Sequence, residues 1–161
     1  MSDPQVETRT ERPYMGIHAV ARIEELPTVI PQLIGEVFSW LGQHGMQPNG
    51  APLIRYNVIN MESELDIDIG VPVASASASG NNRVSAKTLP AGRYVTLLHV
   101  GPYDQLMAAN AALIDWAKAR GLQWDRWDDP KGDAFAARYE SYLSEPGEKP
   151  ERTEVAIKLA D

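Results

Sequence analysis

Two amphipathic segments of this sequence repeat each other, and the repeat limits what the chain can fold into. Residues 28–48 and 104–122 each carry apolar side chains at helical spacing, which predicts a helix in each segment. When residue 28 is placed on residue 104, the segments align without a gap. A capping residue, a tryptophan and a terminal glycine then coincide: Thr28 with Asp104, Trp40 with Trp116, and Gly45 with Gly121. Agreement of three such features in one register predicts an internal duplication.

Strand-like segments surround both predicted helices in the same order. One precedes each helix and two follow it: residues 15–26, 51–60 and 64–73 in the first half, and 92–103, 135–144 and 152–160 in the second. An alternating segment at residues 5–10 can add an edge strand. The predicted fold class is α+β, with duplicated strand–helix–strand–strand units. Because one helix covers only one sheet face, the units are expected to pair with pseudo-two-fold symmetry. Such pairing would build an antiparallel sheet, or two facing sheets, with a central ligand groove.

The expected domain organisation is a single domain over residues 1–161. The first repeat spans about residues 5–73 and the second about residues 84–160. Between them, residues 74–83 are small and polar, a composition typical of a flexible linker. Both repeats consume the chain, so no helix-turn-helix unit is expected beside them.

Composition excludes several classes of function. The chain has 15 basic and 22 acidic residues and a net charge of −7, so direct nucleic-acid binding is not expected. It has no cysteine, which rules out a thiolate nucleophile, and its three histidines lie far apart in sequence. No metal or cofactor is therefore predicted. With no apolar run of membrane-spanning length and no signal-peptide core, a cytoplasmic protein without membrane association is expected.

One predicted strand carries an unusual carboxylate. In the segment 135–146, FAARYESYLSEP, alternation places Arg138, Glu140 and Tyr142 on one face of the strand. Glu140 is either a solvated residue paired with Arg138 or a pocket carboxylate between tyrosines. In the second case its surroundings raise its pKa and suit a lipophilic cation, which aromatic faces attract. The same group can act as a general acid or base.

Two registers bring the corresponding strand of the first half to this carboxylate. One places Tyr56 opposite Glu140 and Val58 opposite Tyr142. The other places Tyr56 opposite Tyr139 and Asn57 opposite Glu140. In the second half the link between helix and strand, residues 123–133, carries Trp124 and Trp127 on an otherwise polar loop. These tryptophans either cap the groove or anchor the loop on the sheet.

Several segments resemble the GyrI-like small-molecule-binding domain, the effector domain of AraC- and MerR-type transcription regulators. They are LPAGRYVTLLHVGPYDQL at 89–106, RYESYLSEP at 138–146, TEVAIKL at 153–159 and MESELDIDIGVPV at 61–73. The resemblance covers about residues 5–160. It implies a pocket between the halves in which Glu140 and Tyr142 match the family's glutamate motif. Tyr56 matches its first-half tyrosine, which favours the first register, and Asp68 and Glu154 match structural or rim acids. The full set of expected ligand-binding residues is Glu140, Tyr142, Tyr56, Val58, Trp124, Trp127, Val155 and Ile157.

The resemblance implies three functions. The first is stand-alone binding of lipophilic, cationic or planar aromatic small molecules, as in sequestration or sensing of a drug or toxin. The second is hydrolysis of strained electrophiles such as cyclopropane-bearing DNA alkylators, with Glu140 as general base and Tyr56 or Tyr142 as proton donor. The third is a protein–protein regulator like the gyrase inhibitor of the family, for which the acidic charge would meet a basic partner. An exposed edge strand would favour a homodimer.

Overall fold

The computed structural model describes residues 3–75 and 83–161, and most of the predicted linker therefore lies outside the described residues. The described elements, in chain order, are β1 (Gln5–Arg9), β2 (Arg12–Ala21), α1 (Leu26–Gln43), β3 (Leu53–Ile59), β4 (Leu65–Pro72), β5 (Val84–Leu89), β6 (Gly92–Val100), α2 (Leu106–Ala119), β7 (Arg126–Asp129), β8 (Gly132–Phe135), β9 (Arg138–Tyr142) and β10 (Arg152–Lys158). Short 3-10 turns, Ile23–Glu25 and Tyr103–Gln105, lead into the two helices.

All the described strands belong to one antiparallel sheet. Its order is β1-β6-β10-β9-β3-β4-β2-β5, and the β7–β8 hairpin attaches to β3 through β8. The sheet is open, and the predicted α+β class with an antiparallel sheet is confirmed. Segment 5–10 contributes the edge strand β1, whereas β5 was not predicted.

The strand order is symmetric about the central β9–β3 pair, with one exchange between the halves. The edge strand β1 of the first half pairs with β6 of the second, and β5 pairs with β2 of the first. The residue pairs also correspond between the halves. Tyr14 of β2 pairs with Pro72 of β4 in the first half, and Tyr94 of β6 pairs with Lys158 of β10 in the second. Each half therefore completes the sheet of the other.

The two helices end as predicted but begin elsewhere. Gly45 and Gly121 follow them with φ of 65° and 69°, a left-handed conformation that glycine adopts without steric cost. The helices begin after the 3-10 turns, and neither has a side-chain cap bond at its start. Thr28 lies inside α1 and Asp104 lies in the turn before α2, so the predicted caps are wrong. Pro27 near the start of α1 fits the first turn, where no intrahelical N–H bond is lost.

Both helices pack on the same face of the sheet. The core under α1 joins Leu33, Val37 and Leu41 to apolar residues of β2, β3 and β4. The core under α2 joins Ala109 and Leu113 to residues of β6 and β10. Ile54 belongs to the first core and Val155 to the second, and both pair directly with Glu140, so the three side chains share this face. A third core, centred on Tyr14, Tyr94 and Tyr139, lies on the opposite face.

The segment with two tryptophans is not a loop as predicted. Residues Arg126–Asp129 and Gly132–Phe135 form a hairpin, in which Trp127 pairs with Ala134. The polar composition of the segment did not indicate strands, because β7 is largely exposed and only Ala134 and Phe135 of β8 are buried. None of the described helices is long and apolar enough to cross a membrane.

Candidate functional site

Glu140 lies at the middle of the sheet, between the cores under the two helices. Its strand, β9, has β3 on one side and β10 on the other, and Glu140 pairs with Ile54 and Val155. Only 6% of its surface is exposed. A carboxylate at this position faces apolar side chains from both halves, which is costly unless it is hydrogen-bonded.

Both oxygens of the Glu140 carboxylate accept a hydrogen bond. The Tyr56 hydroxyl donates to Oε1 at 3.1 Å, and the Asn110 amide donates to Oε2 at 3.0 Å. Asn110 also donates to the Leu106 carbonyl and accepts a bond from Arg138 at 3.1 Å, so its amide orientation is set by its partners. Within residues 3–75 and 83–161, no basic side chain forms an ion pair with Glu140. Arg138 bonds to Asn110 rather than to Glu140.

The electrostatics of the site follow from burial. Burial raises the pKa of Glu140, and the hydrogen bonds from Asn110 and Tyr56 together with the charge of Arg138 partly oppose that rise. Burial, and next the negative charge of Glu140, hold the pKa of Tyr56 and of Tyr142 well above the usual tyrosine range. Burial lowers the pKa of Arg138. Both tyrosines therefore keep their protons and can donate them.

Tyr142 and Tyr103 form an aromatic pair beside the site. Tyr142 follows Glu140 by two positions on the same face of β9 and packs against the core under α1. Its ring meets that of Tyr103 edge to face, with centroids 5.8 Å apart. Tyr103 belongs to the turn before α2 and is 46% exposed. This aromatic pair therefore joins a side chain on the Glu140 face of β9 to an exposed ring.

Neither predicted register of β3 against β9 is observed. Ile54, rather than Tyr56 or Asn57, stands opposite Glu140, and Arg55 stands opposite Tyr139. Tyr56 still reaches the carboxylate because it lies two residues further on the same face and its long side chain spans the diagonal. Both predicted registers match residues in the same chain direction, whereas β3 and β9 run antiparallel, so neither could give the observed pairing.

The other predicted site residues lie in three different places: in the core under α2, beyond the bulge of β3, and at or near the β7–β8 hairpin. Val155 and Ile157 are fully buried in the core under α2, with Val155 directly beside Glu140. Val58 is half-buried beyond the bulge and pairs with β8. Trp124 packs against the α2 core and bridges Leu159, which supports the anchoring interpretation, whereas Trp127 is 51% exposed on the hairpin.

Asn110 and Tyr103 are site residues that the sequence patterns above did not predict. Asn110 is the one polar side chain within MAANAALI, residues 107–114, a stretch whose other members are apolar. A lone amide among apolar helical positions predicts a buried hydrogen-bonding partner, because an unsatisfied amide there is costly. Tyr103 gave no comparable signal, since it follows a glycine–proline turn.

The acids Asp68 and Glu154 lie on the opposite face of the sheet. In the sheet, Asp68 pairs with Arg55 and Glu154 pairs with Ser141. The side chains of Arg55 and Ser141 point to the face opposite to Glu140, so those of Asp68 and Glu154 do so as well. Asp68 is 2% exposed and accepts bonds from the Tyr14 hydroxyl and from Lys87. Among the residues the structure describes, no group of three or more metal-ligating side chains could hold a metal ion.

The open antiparallel sheet with two helices on one face is similar to the fold of GyrI-like effector-binding domains. The model of the GyrI-like small molecule binding domain matches residues 2–160. The chain belongs to this family. No match was found among curated protein sequences.

Solved structures of low sequence identity share the fold. The C-terminal domain of EcmrR is 17% identical with a TM-score of 0.72, and the match covers 98% of this chain and 96% of that chain. In an EcmrR–DNA complex the match has 18% identity and a TM-score of 0.74, and it covers 98% of this chain but only 57% of the EcmrR chain. A hydrolase from Listeria innocua is 15% identical with a TM-score of 0.62, covering 98% and 91% of the two chains. SAV2435 bound to tetraphenylphosphonium is 10% identical with a TM-score of 0.62, covering 98% and 94%.

Proposed function

We propose that this protein binds lipophilic cations or planar aromatic molecules in a groove centred on Glu140, between the cores under its two helices, and that it does so in the cytoplasm. The observation that carries the proposal is a buried carboxylate without an ion-pair partner among the described residues. Membership of a small-molecule-binding family supports a ligand, and the carboxylate supports its charge. The proposed lining consists of Glu140, Tyr56, Tyr142, Val58, Val155 and Ile157, with Trp127 and Trp124 at the hairpin side.

Charge and aromaticity together select the ligand class. An unpaired buried carboxylate is destabilised by loss of hydration, and a bound cation restores a partner for it. Tyr56 and Tyr142 add ring faces that attract a cation by about 0.5–2 kcal/mol each. A lipophilic cation suits such a site because it loses little hydration on entry. SAV2435, which shares the fold, is described as bound to tetraphenylphosphonium, a cation of this kind.

Access to the carboxylate requires side-chain movement. Glu140 is 6% exposed and both of its oxygens are occupied by Tyr56 and Asn110. The exposed ring of Tyr103 rests on Tyr142, and a rotation of these two rings would open the site from the surface. Binding is therefore expected to involve a local rearrangement rather than insertion into a preformed cavity.

The test uses tetraphenylphosphonium and its neutral analogue triphenylphosphine oxide, measured by isothermal titration calorimetry. Saturable binding of the cation is expected, with much weaker binding of the oxide. Glu140→Gln is expected to lose on the order of a hundredfold in affinity, as for removal of one partner of a buried charge pair. Glu154→Gln, on the opposite face, is the matched control and should bind normally. Equal affinities of Glu140→Gln and the wild type would overturn the proposal.

A second candidate is hydrolysis of strained electrophiles such as cyclopropane-bearing alkylators. It is favoured by the raised pKa of Glu140, which brings a carboxylate closer to the range of an effective general base. Glu140 would take a proton from water as the water oxygen bonds to the ring carbon and the strained C–C bond breaks. The Tyr56 or Tyr142 hydroxyl would protonate the resulting carbanion, and the proton on Glu140 would then return to the tyrosinate. A protein from Listeria innocua that shares this fold is described as a hydrolase, which supports hydrolysis as a candidate.

Turnover distinguishes the two candidates. The protein is incubated with a cyclopropane-bearing alkylator, and ring-opened product is followed by mass spectrometry. Catalysis requires product in molar excess over protein and an inactive Glu140→Gln variant. Stoichiometric protection of the alkylator without product would leave binding as the function.

A further inference from the structure

A buried histidine of β6 lies on the same sheet face as the Glu140 site. His99 pairs with Thr153 of β10, which pairs in turn with Tyr142 of β9. Because side chains alternate along a strand, His99 and Thr153 point to the face that carries Tyr142 and Glu140. His99 is 3% exposed, and it is one of the groups that oppose the rise that burial causes in the pKa of Glu140. Its ring therefore lies within electrostatic reach of the carboxylate.

One ring nitrogen of His99 holds the turn that leads into α2. The Nε2 atom lies 3.0 Å from the carbonyl oxygen of Pro102. A carbonyl oxygen only accepts hydrogen bonds, so the proton is assigned to Nε2, which donates it. The next residue of the turn is Tyr103, whose ring meets that of Tyr142 edge to face. His99 thus fixes the backbone directly before the ring that packs beside the site.

The first half of the protein builds the corresponding turn without a histidine. Ala19 of β2 pairs with Ile67 of β4, and in the second half His99 and Thr153 form the equivalent pair. An alanine side chain cannot bond to a backbone carbonyl, yet the 3-10 turn Ile23–Glu25 forms before α1 all the same. The fold therefore does not need a histidine to make such a turn.

The polar pair of the second half is less favourable for stability than the apolar pair of the first. In the part of the chain that the structure describes, neither His99 Nδ1 nor the Thr153 hydroxyl has a hydrogen-bond partner, although both atoms are buried. Burial of a polar atom without a partner is destabilising. Residues that lower stability and are not required by the fold are expected at functional sites.

Tyr103 offers an aromatic surface that a ligand can reach. It is 46% exposed, whereas Tyr142 beside it packs against the core under α1. Burial raises the pKa of Tyr142, and the neighbouring Glu140 and Tyr103 raise it further, so Tyr142 lies within reach of both groups. A ring held on Tyr142 adds a third tyrosine near the carboxylate, and tyrosine faces attract cations.

We propose that His99 is a positioning residue of the Glu140 site, which holds the Tyr103 ring on Tyr142 through its bond to Pro102 so that this ring closes over a bound lipophilic cation. The inference rests on the proposed function and adds Tyr103 to the residues that contact the ligand. A ring that is already held in place loses less conformational freedom when the ligand binds, so the His99 bond strengthens binding. His99 itself does not touch the ligand.

The test compares His99→Leu, which removes the donor, with His99→Gln, whose amide nitrogen can replace Nε2 as a donor to Pro102. Calorimetric titration with tetraphenylphosphonium should show about tenfold weaker binding by His99→Leu, as for loss of one hydrogen bond. His99→Gln should recover most of the affinity. His44→Leu is the matched control and should bind normally, because the exposed ring of His44 also bonds a backbone carbonyl, that of Trp40, but at the end of α1.

Tyr103→Leu decides whether His99 acts through the tyrosine ring. Alone it should weaken binding about tenfold, and adding His99→Leu to it should cause little further loss, because the ring that His99 positions is already gone. A merely structural role of His99 would give the same loss with and without that ring. Additive losses would therefore overturn the proposal, and so would a His99→Gln variant that binds no better than His99→Leu.

The ligand-free protein tests the positioning separately from the proposed function. Nuclear Overhauser contacts between the ring protons of Tyr103 and Tyr142 should be present in the wild type and in His99→Gln, and lost in His99→Leu. If tetraphenylphosphonium failed to bind the wild type, the proposed function would fall and these contacts would still decide the positioning. If the cation bound and the contacts survived in His99→Leu, the positioning role alone would be overturned. Should His99→Leu not fold, His99→Phe takes its place, since phenylalanine keeps a ring without a donor.

Discussion

Asn110 on α2 and Glu140 on β9 are joined by a hydrogen bond of 3.0 Å, which ties the second helix to the polar centre of the sheet. The same amide accepts a bond from Arg138, so one side chain links a buried carboxylate to a half-buried cation that does not pair with it directly. This arrangement leaves the carboxylate satisfied but unpaired. A ligand can therefore compete for Glu140 without breaking an ion pair.

Asn110→Ala is expected to destabilise the protein. Glu140 would lose one of its two donors and Arg138 would lose its acceptor, and each unsatisfied buried group costs about 1–3 kcal/mol. Urea denaturation should show a lower free energy of unfolding with an unchanged denaturant slope. Met107→Ala on the same helix, at a side chain that is 67% exposed, controls for helix propensity and should change little. A loss in Asn110→Ala no larger than in Met107→Ala would contradict the bridging role.

Glu140→Gln is expected to make the ligand-free protein more stable at alkaline pH. Burial raises the pKa of Glu140 in the folded state, so the folded protein binds this proton more tightly than the unfolded chain. Its burial as a carboxylate therefore costs stability in full above the folded pKa, and the cost disappears as pH falls toward the unfolded value. Each tenfold difference in proton affinity is worth about 1.4 kcal/mol.

Urea unfolding of wild type and Glu140→Gln across about pH 4 to 8 measures this difference, since an unfolded glutamate titrates near 4.3. The gain in the variant should be largest at the alkaline end and shrink toward the acidic end. Glu11→Gln, which removes one exposed charge, corrects for the change in net charge. A difference between wild type and Glu140→Gln that does not vary with pH would show that Glu140 is not a buried, raised-pKa carboxylate.

Binding of a lipophilic cation is expected to release protons. The cation favours the charged carboxylate, so it lowers the pKa that burial had raised, and affinity rises as pH increases through the pKa of the free protein. Calorimetric titration of tetraphenylphosphonium in buffers of different ionisation enthalpy measures the protons released. Release should be greatest at acidic pH and vanish once Glu140 is ionised in the free protein. In Glu140→Gln the residual binding should release none; equal release there would place the titrating group elsewhere.

Lys87→Met is expected to destabilise the first half of the protein on the sheet face opposite to Glu140. It would leave the 2%-exposed carboxylate of Asp68 with only the Tyr14 hydroxyl as a partner. Breaking a buried pair from one side costs about 3 kcal/mol, whereas Arg22→Met in the exposed pair with Glu24 should cost about 0.5 kcal/mol or less. Adding Asp68→Asn to Lys87→Met should recover part of the loss in thermal denaturation. No recovery would indicate that Lys87 stabilises by packing alone.

The α+β class and the helix ends were predictable because they depend on local chemistry. Gly45 and Gly121 end their helices, since a left-handed residue is needed there and glycine supplies it at no steric cost. Alternation of side chains in β9 predicted that Glu140 and Tyr142 share one face of the strand. Both do lie on the sheet face that carries the cores under the two helices. The internal duplication and the roles of the site residues remain predictions.

Long-range pairing was not predictable in the same way. The register of β3 on β9 depends on the two strands running antiparallel at the centre of the sheet, and matching the repeats in sequence order does not reveal that pairing. The exchange of β1 and β5 between the halves depends on the whole sheet, and a five-residue edge strand carries no signal for its partner. The helix starts were missed because 3-10 turns replace the expected side-chain caps.

Tyr56→Phe and Tyr142→Phe form a matched pair that separates hydrogen bonding from aromatic contact. Both keep their rings near Glu140, but only the Tyr56 hydroxyl donates to the carboxylate. Loss of that bond removes a stabiliser of the charged form, so the pKa of Glu140 should rise further in Tyr56→Phe. The pH midpoint for tetraphenylphosphonium affinity should then move upward by about one unit for a bond of about 1–1.5 kcal/mol. Tyr142→Phe should leave the midpoint in place. Equal midpoint shifts in the two variants would mean that the rings, and not the Tyr56 hydroxyl, control the charge of Glu140.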